Sequence, residues 1–328
     1  MKSVVSKHSI GWIAFLIAAA LVPLVVGEYL RGLMILICIW AIMTISINLI
    51  YGYTGQLSLG HSAFFAIGAY AMGLLIVKAG LAFWLAFLVS IGVTGLGGLL
   101  IGYTSLRLKG PYFVLVTLSF AIILHMILVH WEPLTGGANG LMGVPKPPAI
   151  PLPFGIHVTF QSQLSMYYLI LFFLFLISLV HYRLIHSLVA RGFIAISKDE
   201  ILAQSLGINT MRCKLTSFVI STLYAGVAGS LFASYNSVIT PHVAHFTQGM
   251  NAVVYLVIGG SATMSGPFFG TIVLLALPEA LQMLPRLMSM INGIILLVFL
   301  LFLPSGIVGG LGLLFKKWNA SRKRAEAK

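Results

Sequence analysis

Apolar runs of about 20 residues, the length that crosses a bilayer as a helix, recur along this chain and are separated by short intervals carrying lysine and arginine. That recurrence leaves few folds open. With 59% of residues hydrophobic and only 8% charged, there is not enough polar surface to coat a soluble domain. A spanning chain must pair its backbone groups within helices or around a closed barrel. The apolar runs do not alternate as barrel strands do, and the 34 glycines suit close helix-to-helix packing. The expected class is an all-α polytopic membrane protein. Lys2 and Lys7 precede a run from Ile10 to Gly27 that ends in Gly-Glu-Tyr-Leu without a small-residue cleavage site, which reads as an uncleaved first span. Further spans are expected near 30–50, 61–77, 81–106, 111–131, 164–182 and 215–235. The interval 249–284 is too long for one crossing at about 1.5 Å per residue, and Gly259-Gly260-Ser261-Ala262-Thr263-Met264-Ser265-Gly266-Pro267 interrupts it. Two shorter spans are expected there, then a last one over 287–310.

The basic residues test that count. A formal charge of +13 would suit nucleic acid if it were clustered, but these residues sit between apolar runs, where the positive-inside rule accounts for them. About ten spans put both termini on one side, together with Lys2, Lys7, Arg107, Lys109, Arg183, Arg191, Lys198, Arg212, Lys214 and the tail Lys316, Lys317, Arg322, Lys323, Arg324 and Lys328. Only Arg31, Lys78, Lys146 and Arg286 fall opposite. Both termini are therefore expected in the cytoplasm, with 183–214 a cytoplasmic loop and 132–163 an exterior one. Residues 1–315 then form a single transmembrane domain and 316–328 a basic tail. Reading 249–284 as one span would put the tail outside, against its own charge.

Within the cytoplasmic interval, Arg191 to Lys214 carries a set of helix-stop signals. Ser197 and Glu200 have the spacing of a capping box, Ile196 and Ile201 stand at the staple positions, and Gly207 suits a left-handed C′ position with Ile208 folding back. A short helix from Lys198 to Leu206 is expected, serving as a connector or as a docking element.

Catalytic patterns are absent. The chain has no H-E-x-x-H, no G-x-S-x-G and no G-x-x-x-x-G-K-[ST], so any ATP must be hydrolysed by a partner. Cys38 and Cys213 are isolated, and no metal or cofactor is expected. His61, His125, His130, His242 and His245 read as histidines hydrogen-bonded inside a bundle rather than as ligands. Glu279 lies seven residues before Arg286, and the two are expected to form a structural pair. Two stretches interrupt the apolar pattern with glycine and polar side chains: Asn48 to Tyr70, containing Gln56, Ser58, Gly60, His61 and Ser62, and the turn with Gly259, Gly260, Ser261 and Gly266. Helices are expected to break around 51–61 and 259–267. Such breaks either line a translocation pathway or let helices pack closely through Gly266-x-x-x-Gly270, Gly98-x-x-x-Gly102 and Gly306-x-x-x-Gly310.

Taken together, Gly55-Gln56-Leu57-Ser58-Leu59-Gly60-His61, Leu106-Arg107-Leu108-Lys109-Gly110-Pro111-Tyr112-Phe113, Thr135-Gly136-Gly137-Ala138-Asn139-Gly140-Leu141, the Lys198 to Ile208 segment, Gly259-Gly260 with Gly266-Pro267, and Pro304-Ser305-Gly306-Ile307-Val308-Gly309 resemble the M-type permeases of bacterial branched-chain amino acid ABC importers. The resemblance runs in order over roughly residues 30 to 310. It implies a multi-pass subunit of the bacterial cytoplasmic membrane, working with a second, H-type permease, two ATP-binding subunits and an external substrate-binding protein. It also implies that the cytoplasmic loop helix couples to the ATPase, with Asp199, Glu200, Ala203 and Gly207 matching the family's Asp-Glu-x-x-Ala-x-x-x-Gly pattern and Ser197 beside them. Two departures stand out. Ser197-Lys198 replaces the common Arg-Glu, and Ser261-Ala262-Thr263-Met264 replaces the usual Leu-Gly-Ser/Thr-Leu/Trp. Permeases for urea and amides share these motifs, and a stand-alone ion-coupled carrier is the alternative of a different class.

Overall fold

A computed structural model describes residues 19–108, 110–151, 157–280, 306, 307 and 309. After a helical stretch over 19–25 come α1 (Glu28–Ile47), α2 (His61–Val77), α3 (Phe83–Ser105), α4 (Pro111–His130), the short α5 (Glu132–Thr135), α6 (Gln163–Ile185), α7 (Leu188–Lys198), α8 (Glu200–Ser205), α9 (Thr210–Asn236), α10 (Phe246–Gly259) and α11 (Gly266–Ala280). Among the described residues, α1 with its continuation to Tyr53, α3, α4, α6 and α9 are long and apolar enough to cross a membrane, and α2, α10 and α11 are shorter apolar helices. This is a helical, multi-pass membrane protein. Over the interval 249–284, where two crossings are expected, the described residues form two short apolar helices, α10 and α11, separated by a turn. Half of the first run, nearly all of the last expected span, the tail and Arg286 lie outside the described residues. So does the side chain of Glu279, and with it the expected pair.

The bundle closes around α9. Its run Ala225-Gly226-Val227-Ala228-Gly229-Ser230 is buried and offers almost no side-chain bulk. A Cβ on Gly68 would lie 2.5 Å from the carbonyl oxygen of Gly226, and one on Gly229 would collide with the carbonyl of Phe65. The α2 and α9 backbones are therefore in direct contact, which lipid tails cannot drive by hydrophobicity and which small residues make possible. Hydroxyls fill the remaining polar demand: Ser230 Oγ lies 2.8 Å from Ser90 Oγ on α3, and Ser46 on α1 donates to the Ser221 carbonyl at 2.8 Å. By contrast α4 keeps much of its apolar surface outward, with Leu115, Ile123 and Met126 exposed.

At one end of the bundle the described parts of the 132–163 interval carry short paired strands. Leu141 and Met142 (β1) pair antiparallel with Ile239 and Val238 (β4), and Tyr70 Oη donates to the Ile239 carbonyl at 3.0 Å. Ile150–Pro151 (β2) pairs with His157–Val158 (β3) in the same interval. These two-residue ribbons decorate loops and form no sheet layer. His125 Nδ1 lies 3.0 Å from the Pro241 carbonyl, His130 Nδ1 2.9 Å from the Met126 carbonyl, and His245 and His242 bond to Thr247 and Gln248.

The close α2–α9 approach predicts that Gly229→Ala destabilises the protein by about 1–3 kcal/mol through overpacking. Gly92, whose Cβ would meet nothing within 4 Å, is the matched control. Thermal unfolding of the detergent-solubilised variants should show a clear loss for Gly229→Ala and none for Gly92→Ala.

Candidate functional site

The end of the bundle opposite the β1–β4 ribbon gathers the loop that carries α7 and α8, the interrupted end of α1 and the turn between α10 and α11. The loop starts with α7, which runs through Ser197 because Ala190, Phe193 and Ile196 recur every third residue and bury one face. The expected capping box is therefore displaced. Ser197 Oγ donates to the Ile194 carbonyl at 2.9 Å inside α7. Asp199 adopts extended backbone and caps α8 instead, its Oδ1 accepting from the Ile201 and Leu202 N–H groups at 2.9 and 3.0 Å. A carboxylate with two amide donors at a helix N-terminus outcompetes a serine hydroxyl because its charge also meets the helix dipole. The expected staple is absent too, since Ile196 is buried while Ile201 is exposed.

The far end of α8 follows the expectation. Gly207 takes a φ of 83°, its N–H donates to the Gln204 carbonyl at 3.0 Å, and Ile208 N–H donates to the Ala203 carbonyl at 3.1 Å. These are the two bonds of a Schellman ending. Asn209 Oδ1 then caps α9 by accepting from Arg212 N–H at 3.0 Å. The helix is short, yet both ends are fixed.

Glu200 does not serve the cap. Its carboxylate lies 2.6 Å from Lys214 Nζ, whose side chain is buried near the start of α9. A buried ammonium needs a counter-charge, and this pair ties α8 to α9. Ala203 is buried as well, while Ile201, Leu202 and Leu206 stand 72%, 58% and 74% exposed on the outer side of the same helix. The loop thus has an inner, charged attachment and an outer, apolar knob.

Beyond Ile47 the helix widens into a π-turn, Asn48–Tyr53. Insertions of this kind leave carbonyls and amides to be satisfied by other groups. Thr54 Oγ1 donates to the Leu49 carbonyl at 3.1 Å and Gln56 N–H to the Ile50 carbonyl at 2.9 Å. Both ring nitrogens of His61 have partners, Ser58 Oγ at 3.0 Å and Ser221 Oγ at 3.1 Å, and the ring is fully buried. Ser62 is buried with its hydroxyl unpaired, Gln56 is half-buried, and a Cβ on Gly60 would come within 2.7 Å of the Thr117 carbonyl. In the other break, Gly259 and Gly266 face each other so closely that a Cβ on Gly259 would strike the Gly266 carbonyl, and Ser261 is exposed. The glycines are spent on close approach. His61 is held as a bundle histidine, and among the described residues no group of three His, Cys, Asp or Glu side chains could hold a metal ion.

The structure also brings in Asn48, which sequence reasoning passed over as the start of a stretch. It is fully buried, accepts from Ala262 N–H and donates to the Thr263 carbonyl, each at 2.9 Å. A side-chain amide at the end of about 20 apolar residues was the available signal, since a polar group at that depth must find partners.

Residues 29–301 match the family model described as branched-chain amino acid transport system, permease component. The chain belongs to that permease family. It is 29% identical to the high-affinity branched-chain amino acid transport system permease protein LivM of Escherichia coli K12, over 92% of this chain and 75% of that one. It is 25% identical to LivH of Salmonella typhimurium, over 82% and 91%, and 27% identical to BraD of Pseudomonas aeruginosa, over the same shares. No solved structure matches the chain. As a permease component it is a transport subunit and not an enzyme.

In this permease Glu200→Gln strands the Lys214 ammonium without its counter-charge. The expected cost is about 3 kcal/mol, the low end for breaking a buried pair because Glu200 keeps some contact with solvent. Replacing both partners, Glu200→Leu with Lys214→Met, should recover most of the loss. Unfolding midpoints of the purified variants check both outcomes.

Proposed function

We propose that this chain is one of two permease subunits of an ATP-driven importer for branched-chain amino acids, and that α8 is the element its ATPase grips. The reading takes the bacterial cytoplasmic membrane as its location, about ten spans with both termini inside, an H-type permease as second subunit, two ATP-binding subunits, and an external protein that selects the substrate. Residues 1–315 form the transmembrane domain, 132–163 faces outward, 183–214 faces the cytoplasm, and 316–328 is a basic tail beside the inner leaflet. Support for the orientation comes from the distribution of lysine and arginine. The relatives' names all specify branched-chain amino acids, which favours that substrate over urea or amides.

The observation that carries the coupling assignment is the two-sided build of α8. A helix this short has no stability of its own in water, yet Asp199 and Gly207 close both ends and Glu200 binds it to α9. Ile201, Leu202 and Leu206 are left outside with nothing among the described residues to cover them. Apolar anchors on a rigid support suit a protein partner, because little ordering cost is left to offset when the partner arrives. On this reading Asp199 and Gly207 shape the knob, Glu200 and Ala203 seat it, and Ser197 links it to α7. The chain carries no phosphate-binding loop, so the energy of hydrolysis must enter through such a contact. Selection by an external protein also relieves the permease of a strong substrate site, which fits interruptions at Gln56–Ser62 and Gly259–Gly266 that pass a zwitterion without holding it.

Leu202→Asp with Leu206→Asp should weaken ATPase capture about tenfold or more, the effect of losing a central apolar anchor. The monomer should keep its unfolding temperature, because both side chains already face outward. Pull-down of the ATPase by the solubilised permease, with ATP-dependent leucine uptake in proteoliposomes as second readout, tests the assignment. Undiminished capture would sink it.

A further inference from the structure

Asn48 joins two interruptions that are more than 200 residues apart in the chain. Both ends of its amide are engaged with the α10–α11 turn, and nothing else on α1 could replace them: Gly52 follows one turn later, and a Cβ there would lie 2.6 Å from Ala262 N. The turn is strained where it is gripped. Ala262 has a φ of 56°, a left-handed conformation that a residue with a Cβ adopts only when its surroundings hold it there. From inside, Thr263 Oγ1 donates to the Gly260 carbonyl at 2.7 Å and accepts from Gly266 N–H at 3.0 Å. From outside, Asn48 holds the N–H of the strained residue and the carbonyl of the next.

The segment that leaves the π-turn approaches the cytoplasmic loop. A Cβ on Gly55 would lie 3.2 Å from Ser197 Cα, at the junction of α7 and α8. A push on α8 therefore meets the 48–60 stretch first, and it reaches the 260–265 turn where Gly52 packs against Ala262 and where the Asn48 amide bonds to it.

We propose that Asn48 is a positioning residue for transport: its amide fastens the 260–265 turn to the interrupted end of α1, so that both interruptions move as one body when α7 and α8 are displaced. The proposal rests on the coupling role given to α8 and adds the route by which its displacement reaches the second break. Thr44 Oγ1 and Thr271 Oγ1, 3.1 Å apart, fasten α1 to α11 deeper in the bundle, and among the described residues Asn48 gives the hydrogen bonds from this end of α1 to the turn itself.

The test uses the full importer in proteoliposomes. Spin labels at Ser261→Cys and Met142→Cys, both exposed and at opposite ends of the bundle, report the distance between them with Cys38 and Cys213 replaced. In the otherwise unmodified complex, ATP should change this distance. Asn48→Ala should abolish the change and lower the amino acid transported per ATP about fivefold or more, with the ATPase still bound. Adding Ala262→Gly removes the left-handed strain, so the double variant should regain melting temperature without regaining the transport ratio. Asn48→Asp, which keeps the acceptor and loses the donor to Thr263, should behave like Asn48→Ala and serves if that variant does not assemble. An ATP-dependent distance change that survives either substitution, a transport ratio within about twofold of the unmodified complex, or recovery of that ratio by Ala262→Gly would overturn the proposal. So would an unmodified complex whose distance ignores ATP. Failure of the α8 assignment is read separately, from ATPase capture by the Leu202→Asp, Leu206→Asp variant.

Discussion

Every backbone N–H and C=O in a hydrocarbon environment must find a partner within the protein, and each departure from regular helix in this chain is shaped by that demand. The π-turn at Asn48–Tyr53 frees backbone groups that Thr54 and Gln56 recapture. The α10–α11 turn is closed by Thr263 from within and Asn48 from without. At these two interruptions several polar side chains are occupied in repairing the stop.

Glycine and serine answer a second constraint, clearance. Helices in lipid gain nothing from burying leucine against leucine, so association rests on contact between backbones and on hydroxyls that bridge them. The α2–α9 contact at Gly68, Gly226 and Gly229 and the Ser90–Ser230 bridge meet both needs over a few turns. Gly98 against Thr222 and Gly102 against Phe218 extend the same packing between α3 and α9. The close-packing alternative for the glycine-rich motifs accounts for these positions, and in the 259–270 turn it accounts for Gly259, Gly266 and Gly270 as well.

What was legible in the sequence follows from range. Helix placement depends on local runs of apolar residues, so α2, α3, α4 and α9 appear within a few residues of their expected bounds, and the break after Gly259 was marked by its own glycines. Ser197 was misread because a capping box is a local pattern, whereas the continuation of α7 depends on what Phe193 and Ile196 pack against. Glu200 was misassigned to the cap for the same reason, its partner Lys214 being 14 positions away and identifiable only once Lys214 is known to be buried. Asn48 lies beyond any local rule, since its partners are 214 and 215 residues distant.

The long-range bonds missed in the sequence are the ones that tie separate elements into units. An interruption in a transmembrane helix is soft, because the bonds that would stiffen it along its own axis have been given up. A soft joint cannot carry displacement unless something outside the helix restrains it. Glu200–Lys214 restrains α8 against α9, the Gly55–Ser197 contact sets α7 against the first break, and Asn48 sets the first break against the second. Each link is short and joins elements that are separate along the chain. A chain of such links converts local softness into a body that moves together, which a subunit needs if its energy arrives at one exposed helix and its work is done inside the bundle.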